Sequence, residues 1–569
     1  MKINCTWEHP YTPAEPYQKR VAYFSMEFGI DTALKIYSGG LGYLAGSHMR
    51  SAYALKQNMI GIGMLWKYGY YDQVRDSHGN MRPLFRERYY SFLEPTNLIF
   101  PVEVHGQSVK VQAYYLDPKV FGTIPMYFLT TDLENLNDYI SSTITYKLYD
   151  SNEAARVAQS IILGLGGAKV VEALGGADIY HLNEAHALPA AFHLYEKYQS
   201  VEEVRKRLVF TTHTPEKAGN EEHDIHLLNK MGFFGNLDLQ TVEEITQQKS
   251  GGMFGYTPAA LTLSKRANGV SQLHAEVSKD MWKGVPNCPE IIGITNSQNQ
   301  EYWQDKQMKA ALDADDNQAL STRKREMKEE LFKIVADQTG KMFDPNLLTI
   351  VWARRFAAYK RVDLIMRNLS YFYELLNRKN MPIQMIWAGK PYPEDHWAID
   401  MFNKIVGLTR LSHTATVLTG YEMNLSAALK KGSDVWLNTP RRPREASGTS
   451  GMTAAMNGSV NLSVNDGWMP EFAKHGENSF IIPPADLSAP ISEQDDHDYN
   501  HLIQILTQEV IPTYYERPDD WSNIVKNGMR DVVPFFDSNR QADEYYTRLF
   551  NPDPVARNID IEDAVLNGG

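Results

Sequence analysis

The chain is 569 residues long, more than a single hydrophobic core supports, so two large domains or more are expected. With 43% hydrophobic and 22% charged residues it has an ordinary globular composition, and no apolar run reads as a bilayer span, which argues against a membrane partner. A net charge of −12 argues against nucleic acid, and two cysteines, Cys5 and Cys288, are too few for a disulfide framework or a cysteine-rich metal site. The opening MKINCTWEHP has no basic segment followed by an apolar one, so a secretory leader is not expected and the cytoplasm is the expected compartment.

Taken in chain order, short apolar runs alternate with helical patterns, the form of parallel α/β sheets. Strands are predicted at Val21 to Met26, Met59 to Leu65, Ile179 to Leu182 and Leu208 to Thr212, with Ile291 to Asn296 closing a first sheet. The run STRKREMKEELFKIV, from Ser321, is predicted as a helix with a solvated charged face leading into a second sheet. The strands of that sheet are predicted at Leu347 to Ala353, Ile383 to Ala388, Ala415 to Leu418, Val435 to Leu437 and Val460 to Val464. The expected architecture is two doubly wound, Rossmann-like domains, residues 1–300 and 301–569, with the last helix packing back on the first domain.

The unusual motifs fall after predicted strands, where open α/β sheets bind ligands. Tyr37-Ser38-Gly39-Gly40-Leu41-Gly42 is a glycine loop that lets N–H groups approach an anion at a helix start. WARRFAAYKR places Arg354, Arg355, Lys360 and Arg361 within about two turns, a candidate anion clamp around Tyr359. His186 in LNEAH and His213 in FTTHT each follow a strand, where structural and catalytic roles are both open. Glu445-Ala446-Ser447-Gly448-Thr449 offers a carboxylate and a run of N–H groups to sugar hydroxyls. Asp313-Ala314-Asp315-Asp316 reads as a solvated segment, and no metal site is expected.

The string RRPREASGTSGMTAAMNG, Arg441 to Gly458, closely resembles the signature of the α-glucan phosphorylases, and the likeness extends from about Val21 to the C-terminal region. The resemblance implies a GT-B fold with a central cleft and retaining hexosyl transfer. It sets Arg355 and Lys360 on the phosphate-binding pair with Tyr359 between them, and the glycine loop over the phosphates. It lines the sugar site with His186, His213, Thr214 and Asn296, beside Glu445 and the Ala446 to Thr449 segment. In that family a lysine three residues after the Ser/Gly pair carries pyridoxal phosphate as an imine. Here that position is Thr453, which cannot form one, so no covalent cofactor is expected there. Ser47 and the run Ser297 to Gln300 also depart from the family. Three readings follow: a phosphorylase holding pyridoxal phosphate non-covalently, a transferase with a sugar nucleotide in the cofactor's place, or a non-catalytic glucan-binding homologue. The implied partners are a sugar phosphate or sugar nucleotide and a saccharide acceptor, and the family also suggests a homodimer.

Overall fold

The computed structural model describes residues 5–249 and 251–551. The first sheet contains β1 (Val21–Phe24), β2 (Met59–Met64), β3 (Leu93–Val104), β4 (Gln107–Leu116), β5 (Met126–Thr130), β6 (Ile179–Asn183), β7 (Leu208–Thr211), β8 (Arg266–Gly269) and β9 (Ile291–Gly293). Its nine strands run in the order β9-β8-β7-β6-β1-β2-β5-β4-β3. The strands from β9 to β5 are parallel, and β4 and β3 add an antiparallel edge. That edge is an addition to the doubly wound core that the predicted strands did not include. The edge hairpin carries Pro95 and Pro101 and a register shift between Pro95 and Ile99, features that hide a strand from a periodicity reading.

The second sheet contains β10 (Leu348–Ala353), β11 (Ile383–Ala388), β12 (Ala415–Leu418), β13 (Val435–Asn438), β14 (Val460–Val464) and β15 (Ser479–Ile482). All its strands are parallel, in the order β12-β11-β10-β13-β14-β15. Nearly every strand residue is buried, as expected of parallel strands covered on both faces. In each sheet the winding reverses once, between β1 and β6 and between β10 and β13. Such reversals leave a crevice at the strands' carboxyl ends, so they mark the two places where side chains can meet a ligand.

The helices that position the site are α1 (Gly40–Ala54), α2 (Glu153–Ala173), α3 (Asn317–Thr339), α4 (Met423–Gly432), α5 (Ser450–Met456) and α6 (Ser538–Glu544). Two expectations are corrected here. The helix α2 is long and apolar enough to cross a bilayer by length and composition, but most of it is buried inside the protein, as a core helix is. The charged helix α3 is not simply solvated. Lys328 is buried against Asp434 at 2.5 Å, and Lys324 donates to the carbonyls of Lys431, Ser433 and Asn457.

Contacts join the two halves of the sequence. The Gln73 amide donates to the Gly389 carbonyl at 2.8 Å, and the Tyr71 hydroxyl to that of Pro391 at 2.7 Å. Helix α6 lies on α1, with the Gln57 amide donating to the Ala542 carbonyl at 2.9 Å. The residues noted as departures meet one another in this seam. The Ser47 hydroxyl donates to Gln298 at 3.0 Å, Asn299 to Ser51 at 3.1 Å, and Ser297 to Gln541 at 2.7 Å. They form one polar set inside the protein, in which Gln298 Nε2 is buried without a hydrogen-bond partner.

Candidate active site

At the reversal of the second sheet, β10 ends at Ala353 and delivers Arg354, while the loop after β13 delivers Glu445. The buried Glu445 carboxylate accepts from Arg354 Nη2 at 2.6 Å and from Lys360 Nζ at 2.5 Å. Burial alone would raise the Glu445 carboxyl, but the two cations outweigh it and hold it at about 2. One member of the basic quartet turns away: Arg361 pairs with Asp495 and Asp498 and donates to the carbonyls of Thr439 and Pro440. Lys360 Nζ also lies 4.6 Å from the centre of the Tyr359 ring. Arg354, which the family likeness did not single out, thus shares Glu445, and its Nη1 is buried with no hydrogen-bond partner.

The EASGT segment is held by its backbone. The Glu445 N–H donates to Asp466 at 3.0 Å, and burial pushes the Asp466 carboxyl up to about 7. The Ala446 carbonyl accepts from the Ser271 hydroxyl at 2.7 Å, and the Ser447 carbonyl from the Trp468 N–H at 3.0 Å. The Ser447 hydroxyl is buried without a partner. Gly448 takes φ +83, the left-handed region, and an added Cβ would lie 3.4 Å from Glu445 Oε1, so a side chain there would strain the turn and crowd the carboxylate. Thr449 precedes α5 as its N-cap residue. Thr453, fully buried in α5, spends its hydroxyl on the Ser450 carbonyl at 3.0 Å.

At the reversal of the first sheet, β1 leads to Glu27 and β6 to Glu184 and His186. Glu27 accepts from the Ser38 N–H at 2.6 Å, the Gly39 N–H at 3.1 Å and the Tyr149 hydroxyl at 2.8 Å. The expectation for the glycine loop is therefore corrected: this carboxylate already uses two of its amides. Gly40 and Leu41 start α1, and a Cβ at Gly39 or Gly40 would meet nothing within 4 Å, so open space remains beside them. His186 tilts against Tyr149 at 5.9 Å, and its buried Nδ1 has no partner.

Glu184 has φ +69, a strained conformation for a residue with a Cβ. Its carboxyl accepts from the His213 N–H at 2.8 Å and the Thr214 hydroxyl at 3.2 Å, and burial pushes it up to about 7. The His213 ring meets Asn183 Oδ1 at 2.7 Å, and burial, helped by His274 and His186, pushes its pKa down to about 3. Asn296 stands in the seam with α6, its amide oxygen accepting from Gln541 at 3.2 Å.

The two ends approach each other. Arg444 pairs with Glu216, joining the Glu445 loop to the His213 loop. Arg355 is solvent-accessible yet surrounded: burial opposes its charge, and the hydroxyls of Tyr359, Tyr70 and Tyr149 outweigh that and favour the cation. Sequence reasoning missed Glu27, Glu184 and Asp466, and it named Arg354 only as one of the basic quartet. Glu27 and Glu184 had one usable signal, a carboxylate within three residues of a predicted strand end. Among the described residues no group of histidine, cysteine or acidic side chains is arranged to hold a metal.

Residues 290–504 match the family described as carbohydrate phosphorylase. An uncharacterized protein of Methanocaldococcus jannaschii is 48% identical over 94% of this chain and 100% of its own length. A maltodextrin phosphorylase of Thermococcus litoralis is 31% identical over 97% of this chain and 72% of its own. A glycogen phosphorylase of Mycobacterium tuberculosis is 29% identical over 94% of this chain and 71% of its own.

Proposed function

The chain belongs to the carbohydrate phosphorylase family, and from that premise we propose that it is a retaining hexosyltransferase moving a glucosyl unit between an α-glucan and phosphate. The observation that carries this reading is the convergence of Arg354 and Lys360 on an ionised Glu445, with Arg355 accessible beside them. In this reading the two sheets belong to the two domains of a GT-B fold, and the reacting groups line the cleft between them.

In phosphorolysis the bond from C1 of the terminal glucose to the glucan oxygen breaks. A bond from C1 to a phosphate oxygen forms on the same face, and the proton of the phosphate passes to the leaving glucan oxygen. Arg355 binds the phosphate as a fork and Lys360 as a point charge. Glu445, held ionised, favours positive charge building at the sugar ring and accepts a sugar hydroxyl. Glu184 is half neutral near pH 7 and positions His213 and Thr214, which line the sugar side with His186. The segment Ala446 to Thr449 is set by its backbone bonds, so its N–H groups meet the substrate without reorganisation.

Pyridoxal phosphate fits these residues in part. Arg354, with an unpartnered buried Nη1, and Lys360 suit its phosphate, whereas Thr453 has no amine to offer its aldehyde. When bound, it would supply an acidic phosphate next to that of the substrate. The hydroxyl of Thr453, spent inside its own helix, favours a second reading, in which a sugar nucleotide is the donor. The test is to incubate the protein and pyridoxal phosphate with maltodextrin and inorganic phosphate, and separately with maltodextrin and a sugar nucleotide. Glucose 1-phosphate release is expected. Transfer from the nucleotide alone would replace the first reading with the second, and turnover in neither would leave a glucan-binding protein.

A further inference from the structure

Five lysines are buried among the described residues: Lys328, Lys360, Lys390, Lys430 and Lys526. Four are paired with a carboxylate: Lys328 with Asp434, Lys360 with Glu445, Lys390 with Glu422, and Lys526 with Asp315. Lys430, on α4, is the exception. It is 2% exposed, and its Nζ lies 4.0 Å from the centre of the Trp303 ring and 5.5 Å from that of Tyr43, with no oxygen partner. Burying an ammonium without a counter-ion is costly, so a protein that needed only packing here would do better with an apolar side chain. Burial pushes the Lys430 amine down to about 7, which leaves a large share of it neutral and nucleophilic at neutral pH.

Its surroundings connect it to the candidate site. Helix α4 packs against α5, which carries Thr453, and so does the short helix Gln300–Trp303. The Asn457 amide donates both to the Trp303 carbonyl at 2.9 Å and to the Thr453 carbonyl at 2.8 Å. Tyr37, which precedes the glycine loop, packs with Tyr43, Trp303 and Met423 in one cluster. Tyr43 is also within electrostatic reach of Tyr421, whose hydroxyl donates to the Ala353 carbonyl at 3.3 Å and which neighbours Arg354. An amine in contact with two aromatic rings is therefore linked, through Tyr421, to Arg354, whose Nη2 is held by Glu445 and whose Nη1 has no partner. That combination recognises an aromatic aldehyde bearing a phosphate.

We propose that Lys430, rather than the residue at position 453, is the amine through which this protein holds pyridoxal phosphate. The inference rests on the phosphorylase reading given above. The neutral Nζ adds to the aldehyde carbon, both of its hydrogens pass as protons to the aldehyde oxygen, which leaves as water, and a carbon–nitrogen double bond remains. No ion pair has to break for the lysine to turn toward the aldehyde, because rings are its contacts. Trp303 and Tyr43 offer aromatic faces, and Arg354 and Lys360 offer cations for the phosphate.

The experiment uses the full-length protein with added pyridoxal phosphate, reduction by sodium borohydride, and peptide mapping by mass spectrometry. The pyridoxyl label is expected on the peptide containing Lys430, together with an imine absorbance band before reduction. The Lys430→Met variant is expected to keep its melting temperature, since methionine suits an aromatic surround, and to lose both band and label. A label on Lys360, Lys390 or any other lysine would overturn the proposal. So would stoichiometric binding without a label, which would leave the phosphorylase reading standing. Absence of binding combined with transfer from a sugar nucleotide would overturn both.

Discussion

The two ends of the candidate site are built from the same kind of residue and put it in opposite states. At the end of β10, Glu445 lies between Arg354 and Lys360 and is held ionised, at about 2. At the end of β6, Glu184 is surrounded by uncharged donors, the His213 amide and the Thr214 hydroxyl, and burial lifts it to about 7. Residue type therefore does not set the protonation state; the neighbours do. A site with one carboxylate fixed negative and another able to carry a proton near neutrality has its charge and its proton in separate places, which suits group transfer at neutral pH.

The comparison is broken most directly at Glu445. In Glu445→Gln two buried cations lose their counter-ion, and the fold is expected to lose about 3–5 kcal/mol, measured by denaturant unfolding. An unchanged midpoint would mean that the cations have other partners. Next in size is Arg355→Met, which removes an accessible cation and no buried pair. It is expected to lower kcat/KM for phosphate roughly 100- to 1000-fold with little change in unfolding midpoint. An unaltered phosphate dependence would move the anion site elsewhere.

The smallest effect sharpens the other end. The Glu184 carboxyl is raised from 4.5 to about 7, so the stability it contributes is complete below 4.5 and is lost as pH rises through about 7. Glu445 runs the opposite way: its contribution is present above 4.5 and is lost as pH falls toward about 2. Glu184→Gln cannot ionise and is expected to gain melting temperature relative to the native chain at pH 8 compared with pH 5. A difference independent of pH would show that Glu184 is ionised throughout.

Much of the fold was legible because the parallel strands are short continuous apolar runs, and Ile383–Ala388, Ala415–Leu418 and Val460–Val464 coincide with their prediction. The antiparallel edge was not, since β3 contains prolines and polar positions on a half-exposed face. Short-range parts of the site were legible too: Glu445 to Thr449 is contiguous, and its backbone conformation is local. The role of Glu27 was not, because its carboxylate meets a loop 11 residues on through the tertiary fold. Lys430 and Lys431 are alike as residues at the end of a helix, yet one is 2% exposed against rings and the other is only half-buried. Nothing in the sequence separates them; only the packing of α4 against Trp303 and Tyr43 does.

The central claim is tested most directly by following inorganic phosphate by phosphorus NMR while the protein, supplied with pyridoxal phosphate, acts on maltodextrin. Conversion to a glucose 1-phosphate is expected, with the H1–H2 coupling of its anomeric proton, read in the proton spectrum of the same sample, that of the α form. A β-linked product would contradict retention, and a phosphate signal that never changes would contradict phosphorolysis itself.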